Sequence, residues 1–221
     1  MARLARIVVP GIPHHVVQRG NRRQTVFFSD ADKNQYIDLV RNACDKHGVS
    51  IWSWCIMSNH VHFIAVPEKS DSLGKCFSDA HVRYTRMINF REKWRGHLWQ
   101  GRFSSSPLDD IYLVAAVRYV ERNPVRAKMV RLPWKYEYSS STYRVGERKF
   151  DPLIKNDELL QGMINDWRGY LQNKDDDDDL TAIRREEAGG RPVGSDSFIK
   201  ELENKLNRTF DRGLPGRPQK K

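Results

Sequence analysis

Two histidines separated by one residue, His60 and His62, have the spacing of a metal-binding pair on an extended strand. Successive strand side chains point to opposite faces, so these two imidazoles share one face while Val61 takes the other. Two residues of strand span roughly 6.6 Å, which lets two imidazoles converge on one divalent ion. A pair of satisfied core histidines is the simpler alternative, and the tripeptide alone does not exclude it.

A second group with chemical potential lies along a helix predicted over residues 111–122. Its stripe of residues, spaced four, three and four apart, comprises Tyr112, Ala116, Tyr119 and Asn123. Pro124 predicts the end of the helix, because it lacks an N–H and disfavours a helical conformation in the residue before it. The alternative is that both tyrosines pack in the core and that Asn123 only caps the helix.

His60, His62 and Asn123 together predict an open metal site. Two imidazoles and an amide oxygen are neutral ligands, so a bound divalent ion would keep its full double charge for an anionic substrate. Three protein ligands leave coordination positions free, as a catalytic ion requires. A phosphodiester oxygen is the natural occupant, because the ion polarises the phosphate and offsets the charge gained in the transition state.

Tyr119 is the predicted nucleophile of such a site. No cysteine or serine lies in a recognisable nucleophile motif, and no Gly-rich phosphate loop is present in the sequence. A free phenol titrates at about pH 10, so attack at neutral pH requires a lowered pKa or a proton acceptor. The phosphotyrosine link that results conserves the energy of the broken phosphodiester bond. This chemistry suits cutting and rejoining of a strand better than hydrolysis.

Charge is unevenly distributed along the 221 residues. Residues 1–150 hold 25 Lys and Arg against 13 Asp and Glu, a net of +12, whereas residues 151–221 hold 13 against 15, a net of −2. A focused positive excess favours a polyanionic partner. Nucleic acid fits better than an anionic membrane surface, because no basic amphipathic helix with a strong apolar face stands out.

The cysteines and the short apolar runs favour a cytoplasmic protein. Cys44, Cys55 and Cys76 form no C-x-x-C pair, which predicts buried free thiols in a reducing compartment. The apolar runs are far shorter than the roughly 18 residues that span a bilayer, and no export signal is visible. We therefore expect a cytoplasmic, nucleoid-associated protein with no membrane partner.

The hydrophobic pattern predicts alternating helices and strands. Ser29 and Gly48 mark the start and stop of one helix, and another is predicted at about 71–91. Asp109 and Asp110 predict the N-terminal cap of the helix at 111–122. Extended segments are predicted at 6–9, 14–19, 49–57, 60–67 and 97–103, with a hairpin joining the strand at 49–57 to the strand that carries the histidines.

The composition changes after residue 150. We predict a main domain at 1–150, an acidic and polar linker region at 151–190, and a short helix with a basic tail at 191–221. The linker prediction rests on five aspartates, Asp175 to Asp179, and on a polar stretch from Glu186 to Gly190. Ser195 opens the predicted short helix. Gly-Arg-Pro sequences begin at Gly190 and Gly216, and such pieces can lie in an A·T-rich minor groove.

Two motifs resemble the single-tyrosine HUH transposases, an IS200-like family: the tripeptide at 60–62 and the run RYVERNPVRA at 118–127. Within this family the chain is most similar to the REP-associated tyrosine transposases of bacteria, which act on repetitive extragenic palindromes (REPs). The sequence LWQGRF at 98–103 and the Gly-Arg-Pro tail also fit that group. The likeness covers about residues 5–145 well and the tail less well.

The resemblance implies an α+β fold with a central antiparallel β-sheet flanked by α-helices, followed by an accessory tail. It implies a Mg²⁺- or Mn²⁺-dependent nick in single-stranded DNA through a 5′-phosphotyrosine intermediate. By match to the motifs, Tyr119 is the nucleophile, His60 and His62 are the histidine ligands, and Asn123 stands at the amide ligand, where some relatives have glutamine. The implied partner is hairpin DNA of the REP type, bound by a monomer or a homodimer.

Four arginines are predicted DNA contacts, namely Arg22, Arg23, Arg83 and Arg102. Adjacent arginines beside the end of a strand can bind phosphates, although each of the four could equally be a solvated surface residue. His14 and His15 are a rival metal pair. Because neighbours on a strand point to opposite faces, both cannot easily bind one ion, and we interpret them as structural or DNA-facing.

Two other classes of function remain alternatives. One is a non-catalytic, sequence-specific DNA-binding regulator that keeps the same fold. The other is a structural zinc protein that uses the histidine pair. The intact set of Tyr119, His60, His62 and Asn123 argues against the first, and the lack of a fourth soft ligand nearby argues against the second.

Overall fold

The computed structural model describes residues 6–210, which are built around one four-stranded sheet. The strands are β1 (His14–Arg19), β2 (Val49–Ile56), β3 (His60–Pro67) and β4 (Ser104–Pro107). Their order across the sheet is β2-β3-β1-β4, and each neighbouring pair is antiparallel. The strand that carries the histidine pair, β3, is therefore hydrogen-bonded on both sides, which fixes its side chains firmly.

Helices occupy most of the remaining described chain. They are α1 (Asp30–His47), α2 (Ser72–Arg91), α3 (Asp110–Glu121), α4 (Asn123–Arg126), α5 (Ser141–Arg144), α6 (Glu158–Met163), α7 (Trp167–Gln172), α8 (Asp177–Gly189) and α9 (Asp196–Leu206). Single 3₁₀ turns lie at Asn21–Arg23 and Pro133–Lys135. The α+β fold with a central antiparallel sheet is confirmed.

Strand alternation gives the sheet two different faces. Phe63 of β3 packs against Phe77 of α2 and Tyr36 of α1, with ring centroids 5.3 and 6.5 Å apart. His62, the preceding residue, lies on the opposite face, where its ring contacts Tyr119 of α3. The helix α8 packs beside α3 and against β1 and β4. One face therefore holds an apolar core under α1 and α2, and the other carries the histidines under α3 and α8.

Local sequence signals set the ends of the helices. Ser29 and Asp32 form a capping box at α1, in which each side chain accepts the other residue's backbone N–H, at 3.3 and 3.1 Å. Gly48 ends α1 in the left-handed conformation, with φ of 63°. Asp109 caps α3 by accepting the N–H of Tyr112 at 2.9 Å. These caps agree with the sequence predictions.

Pro124 separates α3 from α4 in a way that the sequence did not fully predict. As expected, α3 ends before the proline, at Glu121. Asn123, however, begins a new one-turn helix with Pro124 in its first turn, where a missing N–H has no cost. Asn123 thus starts a helix instead of ending one.

Two extended segments differ from their predictions. Residues 6–9 form no strand. Residues 97–103 form a loop in which Trp99 makes a single antiparallel bridge with Gly20, and the strand β4 begins only at Ser104. The loop is nevertheless tied down, because the amide of Gln18 donates to the carbonyl of Gly101 at 3.1 Å.

The segment predicted as a linker, 151–190, contains three helices instead. Four of its apolar side chains are buried in the same core as the sheet: Leu160, Trp167, Leu171 and Ile183. The buried guanidinium of Arg144 also crosses residue 150, because it pairs with both Asp157 and Glu121. The domain boundary at 150 stays a prediction, but the chain on both sides of it shares one core.

Two of the five aspartates, Asp175 and Asp176, have structural partners that composition did not reveal. Asp175 lies 3.2 Å from the guanidinium of Arg122 and 3.3 Å from that of Arg126. Asp176 caps α8 by accepting the N–H groups of Asp178 and Asp179. Carboxylates in the first turn of a helix are stabilised by its dipole. The run therefore starts a helix and anchors it to the segment that joins α3 to α4.

The remaining sequence predictions have mixed outcomes. Cys44, Cys55 and Cys76 are buried free thiols, as expected. The helix predicted after Ser195 is α9, capped by the Ser195 hydroxyl. The basic tail from Gly216 lies outside the described residues. Between residues 6 and 210, no helix combines the length and the apolar character needed to cross a bilayer.

Candidate active site and adjoining basic cleft

His60 and His62 lie on one face of β3. Their ring centroids are 5.0 Å apart and the ring planes meet at 82°. Val61, between them, is fully buried. The strand geometry expected from the tripeptide therefore brings the two imidazoles together.

His15 of β1 joins this pair. Val17 stands opposite His62 in the β1–β3 register, so His15, two residues earlier, lies diagonally on the same face. Nε2 of His15 is 2.9 Å from Nδ1 of His62, and the two rings stack with centroids 5.2 Å apart. His14 is bound elsewhere, with its Nδ1 2.7 Å from the carbonyl of Ile12. His14 is structural, as interpreted, whereas His15 belongs to the site.

Hydrogen bonds hold Nδ1 of both paired histidines. Nδ1 of His60 donates to Oδ1 of Asn59 at 2.6 Å, and Nδ1 of His62 is held by His15. With the proton on Nδ1, each Nε2 keeps its lone pair. Metal-binding histidines are typically fixed in this way, with one ring nitrogen held by a neighbour and the other free to coordinate.

Burial keeps these imidazoles neutral. It lowers the pKa of His15 to about 3 and that of His60 to about 4, and it holds the pKa of His62 well below its ordinary value. The positive charge of Arg126 lowers all three further. Neutral imidazole is the form that binds a metal, so the three rings are in the ligand form at neutral pH.

Asn123 stands next to the His60 ring. A hydrogen bond between the two side chains raises the pKa of His60, against the larger effect of burial. The amide Nδ2 of Asn123 is buried without a hydrogen-bond partner among the described residues. This N–H group is a donor, so an acceptor such as a phosphate oxygen would satisfy it, whereas a cation would be bound through Oδ1 of the same amide. Two neutral imidazoles and this amide fit an open divalent-ion site.

A second donor set overlaps the first. His15, His62 and Glu187 each offer one ligand atom, and these atoms lie within 4.8 Å of one another. Both sets include His62. They differ in charge, because the second contains a carboxylate.

Tyr119 contacts the same histidines from α3. Its ring lies edge-on to His15 and to His62, with centroids 5.7 Å away in both cases. The guanidinium of Arg126 lies over the phenol ring at 4.1 Å and donates to the backbone carbonyl of Tyr119 at 2.5 Å. Only 6% of Tyr119 is exposed. The stripe on α3 thus delivers Tyr119 and, beyond the helix end, Asn123 to the histidines.

Glu187 of α8 covers the Tyr119 hydroxyl. The phenol donates to Oε1 of Glu187 at 2.6 Å. Burial, and next the negative charge of Glu187, raise the pKa of Tyr119 well above its ordinary value. Burial also raises the pKa of Glu187. Tyr119 is therefore a protonated phenol that already has a proton acceptor in contact.

A cleft of about 350 Å³ adjoins Glu187. Its charged lining is basic apart from that one carboxylate: Arg19, Arg23, Arg102 and Arg184. Arg19 is 3.7 Å from the Glu187 carboxylate. A concave surface with such an excess of positive charge attracts phosphate groups. We call this surface, lined by the four arginines and Glu187, the basic cleft.

The predicted DNA contacts fall into two groups. Arg23 and Arg102 line the basic cleft, and Arg22 is exposed next to it in sequence. Arg22 and Arg23 both have positive φ, at 51° and 60°, which is strained for residues with a side chain. Arg83 instead pairs with Asp79 on α2, at 2.6 Å. Three of the four are therefore available to an anion near the site.

Sequence reasoning set aside one residue of this site, His15, and missed another, Glu187. His15 could have been found only by pairing β1 with β3, which are not consecutive strands. Glu187 lies in the segment that its composition assigned to a linker. A local signal for α8 was the acidic run before Leu180 and Ile183. Asp176 in this run caps the helix, and Ile183 is buried.

The sheet with its flanking helices is the fold of a REP-associated tyrosine transposase. A solved structure of such a transposase, bound to a REP hairpin, matches with a TM-score of 0.57 and 18% identity, over 71% of this chain and 93% of that one. A Deinococcus radiodurans R1 protein, provisionally named a transposase, matches with a TM-score of 0.39 and 16% identity, over 55% of this chain and 97% of that one.

A family model settles the classification. The model described as "Transposase IS200 like" matches residues 8–123, more than half of the chain, and the chain belongs to that family. The matched region starts before β1 and ends at Asn123, so it contains the histidine pair and Tyr119. No curated protein matches the chain.

Proposed function

We propose that the chain is a metal-dependent single-strand DNA endonuclease and strand transferase with Tyr119 as its nucleophile. The observation that carries the proposal is the position of this phenol, edge-on to His15 and His62 and next to the basic cleft. Family membership supports a DNA-cleaving enzyme. The contact is made within one chain, so a single copy carries the whole set.

His60, His62 and Asn123 are the residues that would hold a Mg²⁺ or Mn²⁺ ion. Nδ1 of His60 is held by Asn59 and Nδ1 of His62 by His15, and the Asn123 side chain contacts His60, which supports this set. When bound, the ion supplies positive charge to the oxygens of the scissile phosphate. In this assignment His15 orients the His62 ring through Nδ1.

Glu187 is placed to receive the phenol proton. It already accepts the Tyr119 hydrogen bond at 2.6 Å, within the range required of a general base. Attack forms the bond from the Tyr119 oxygen to phosphorus and breaks the bond from phosphorus to the 3′ oxygen. The phenol proton passes to Glu187, and the leaving 3′ oxygen takes a proton from water. The products are a 5′-phosphotyrosine ester and a free 3′-hydroxyl.

Arginines surround the reacting atoms. Arg126 lies over the Tyr119 ring, and Arg184 is hydrogen-bonded to the phenol. Both guanidinium groups favour the phenolate, which offsets part of the effect of burial and of Glu187. The same charges favour a phosphate at this position.

Hairpin DNA is the proposed substrate. The similar transposase was solved with a REP hairpin, and its fold extends over 71% of this chain. Rejoining a strand through a phosphotyrosine requires a bound single strand near the hairpin. The basic cleft beside Glu187 offers that strand a path to the phenol.

Incubation with a labelled hairpin oligonucleotide that carries single-stranded flanks tests the proposal directly. With Mn²⁺ we expect a nick in one flank and a protein–DNA adduct that survives denaturation. EDTA should prevent both. Binding of the hairpin without any nick or adduct would support the DNA-binding regulator instead.

Replacement of Arg23 tests the basic cleft. Arg23→Gly removes a positive charge and also removes the strain of a positive φ, so we expect an unchanged or raised thermal midpoint. Affinity for the flanked hairpin should fall, and the slope of log K against log salt should decrease by about one unit. Fluorescence anisotropy at several salt concentrations measures both quantities.

Arg41→Ala is the matched control, because Arg41 is paired with Asp38 on α1 and does not line the basic cleft. It should leave the affinity and the salt slope unchanged. An unaltered salt slope for Arg23→Gly would remove Arg23 from the DNA contacts.

A further inference from the structure

A larger cavity lies on the other side of the loop 97–103. Its volume is about 680 Å³, and it lies between this loop and α2. Cavities of roughly 300–1,000 Å³ hold small organic ligands, a size class that includes a nucleotide. We call it the α2 cavity.

Its walls combine aromatic rings with exposed apolar surface. His81, Trp99 and Phe103 lie side by side in the wall, with centroids of His81 and Trp99 4.9 Å apart. Val82, on α2, is 44% exposed at the same cavity. A flat, weakly polar ligand could contact these groups. Every nucleobase has such a face, and stacking on aromatic side chains is tolerant of sequence.

Arginines at the same cavity give it a positive charge. Arg86 and Arg102 are exposed, and neither forms an ion pair among residues 6–210. Exposed arginines without acidic partners favour an anionic ligand. The combination of an aromatic wall and positive charges fits a nucleotide, whose base is flat and whose phosphate is negative.

One ring in the wall of the α2 cavity carries an unsatisfied polar group. Nε1 of Trp99 is buried without a hydrogen-bond partner among the described residues. An indole N–H normally finds an acceptor when it is buried. Ring nitrogens and carbonyls of bases are acceptors of this kind.

The α2 cavity and the basic cleft share a lining residue. Arg102 lines both, and Glu187, which holds the Tyr119 hydroxyl, also lines the basic cleft. One strand could therefore pass along the loop with a base in the α2 cavity and the next phosphates in the basic cleft. Such an anchor would set which phosphate reaches Tyr119.

We propose that the α2 cavity binds one unpaired base of the DNA substrate, between α2 and the 97–103 loop, with Arg86 and Arg102 on the adjoining phosphates. The proposal rests on the proposed single-stranded DNA substrate and adds a subsite to it. The subsite fixes the register of the strand. Removal of its base should weaken binding by about tenfold, the size expected of one aromatic stacking contact.

A scan of abasic positions combined with one cavity-filling variant tests this subsite. Each unpaired position of the flanked hairpin is replaced in turn by an abasic residue, and the affinity is measured by anisotropy. Ser78→Trp places an indole in the α2 cavity from an exposed position on α2. With the native chain one position should lose about tenfold in affinity. With Ser78→Trp that loss should disappear, because the base is already excluded.

Lys75→Trp adds the same side chain one turn earlier on α2, at a position that does not line the α2 cavity. It should keep the native response to the abasic position. Thermal unfolding shows that each variant is folded before its affinity is read. If no position responds differently in Ser78→Trp and in the native chain, the proposal is wrong.

The adduct assay separates this proposal from the proposed function. If an adduct forms but no abasic position affects the native chain and Ser78→Trp differently, the subsite is overturned and the nuclease proposal stands. If one abasic position affects the two proteins differently but no adduct forms, the subsite is supported and the nuclease proposal is overturned.

Discussion

Tyr119→Phe is expected to abolish the covalent protein–DNA adduct while the variant still binds hairpin DNA. The change removes only the hydroxyl, and the ring keeps its contacts with His15 and His62, both at 5.7 Å. The loss of the hydrogen bond to Glu187 should lower the free energy of unfolding by about 1–2 kcal/mol. Denaturing gel electrophoresis with labelled DNA and Mn²⁺ measures the adduct. Anisotropy measures binding.

Tyr112→Phe is the matched control for this change. Tyr112 lies on the same stripe of α3, two turns earlier, and is half-buried. Its hydroxyl is not needed in the proposed chemistry, so the adduct should form at the native rate. An adduct that persists in Tyr119→Phe and disappears in Tyr112→Phe would move the nucleophile to Tyr112.

The burial of Tyr119 determines how reactive its hydroxyl is before substrate binds, and this makes the Tyr119→Phe test informative. A phenol with 6% exposure and a raised pKa is an unreactive group in the absence of substrate. The hydroxyl is held by a carboxylate, which repels a phosphate unless it takes up a proton. Transfer of the phenol proton to Glu187 neutralises the carboxylate and moves the negative charge to the phenol oxygen, where Arg126 and Arg184 offset it. In the proposed reaction, this resting arrangement would shield the Tyr119 hydroxyl from solvent and keep its proton acceptor in contact.

Periodicity predicted those parts of the site that lie close together along the chain. The alternation of β3 placed His60 and His62 on one face, and the spacing along α3 placed Tyr119 and Asn123 on one stripe. The end of α3 was also predictable, since Pro124 constrains the residue before it. Each of these relations spans a few residues, which is the range over which local geometry acts.

The missed residues depend on pairings across long stretches of chain. His15 reaches His62 only because β1 inserts between β3 and β4, an order that no local pattern encodes. Glu187 reaches Tyr119 because the acidic run starts α8 and Asp175 pairs with the arginines of the α3–α4 segment. Composition treated these aspartates as solvated charges. Their partners lie roughly fifty residues earlier in the chain, so the interaction is visible only in three dimensions.

The second large effect concerns the metal, for which two donor sets compete. One is His60, His62 and Asn123, and the other is His15, His62 and Glu187. In the second set Nε2 of His15 is engaged with Nδ1 of His62, and the Glu187 carboxylate is engaged with Tyr119. In the first set both Nδ1 atoms contact residues outside the set, which leaves each Nε2 to coordinate an ion when the proton is on Nδ1. We therefore expect the first set to hold the ion.

His60→Ala and Glu187→Gln should consequently differ in their effect on Mn²⁺ affinity. His60→Ala should weaken Mn²⁺ binding by about 100-fold or more and reduce adduct formation accordingly, since loss of a ligand exceeds the 10–100-fold typical of a supporting residue. Glu187→Gln should keep the Mn²⁺ affinity but slow adduct formation by about 100-fold, because a positioned proton acceptor is lost. Electron paramagnetic resonance of free Mn²⁺ measures the first quantity, and single-turnover cleavage measures the second.

Hairpin binding in EDTA provides the control for both variants, because the DNA contacts of the basic cleft do not require the ion. It should equal that of the native chain within about twofold in affinity, a change of less than roughly 0.5 kcal/mol. If Glu187→Gln loses Mn²⁺ and His60→Ala retains it, the ion belongs to the His15, His62 and Glu187 set. Glu187 would then be a ligand that bridges the ion and the phenol, and the proton of Tyr119 would need another acceptor. The neutral donors and the free lone pairs of the first set predict the reverse result, in which the ion keeps its full charge for the phosphate.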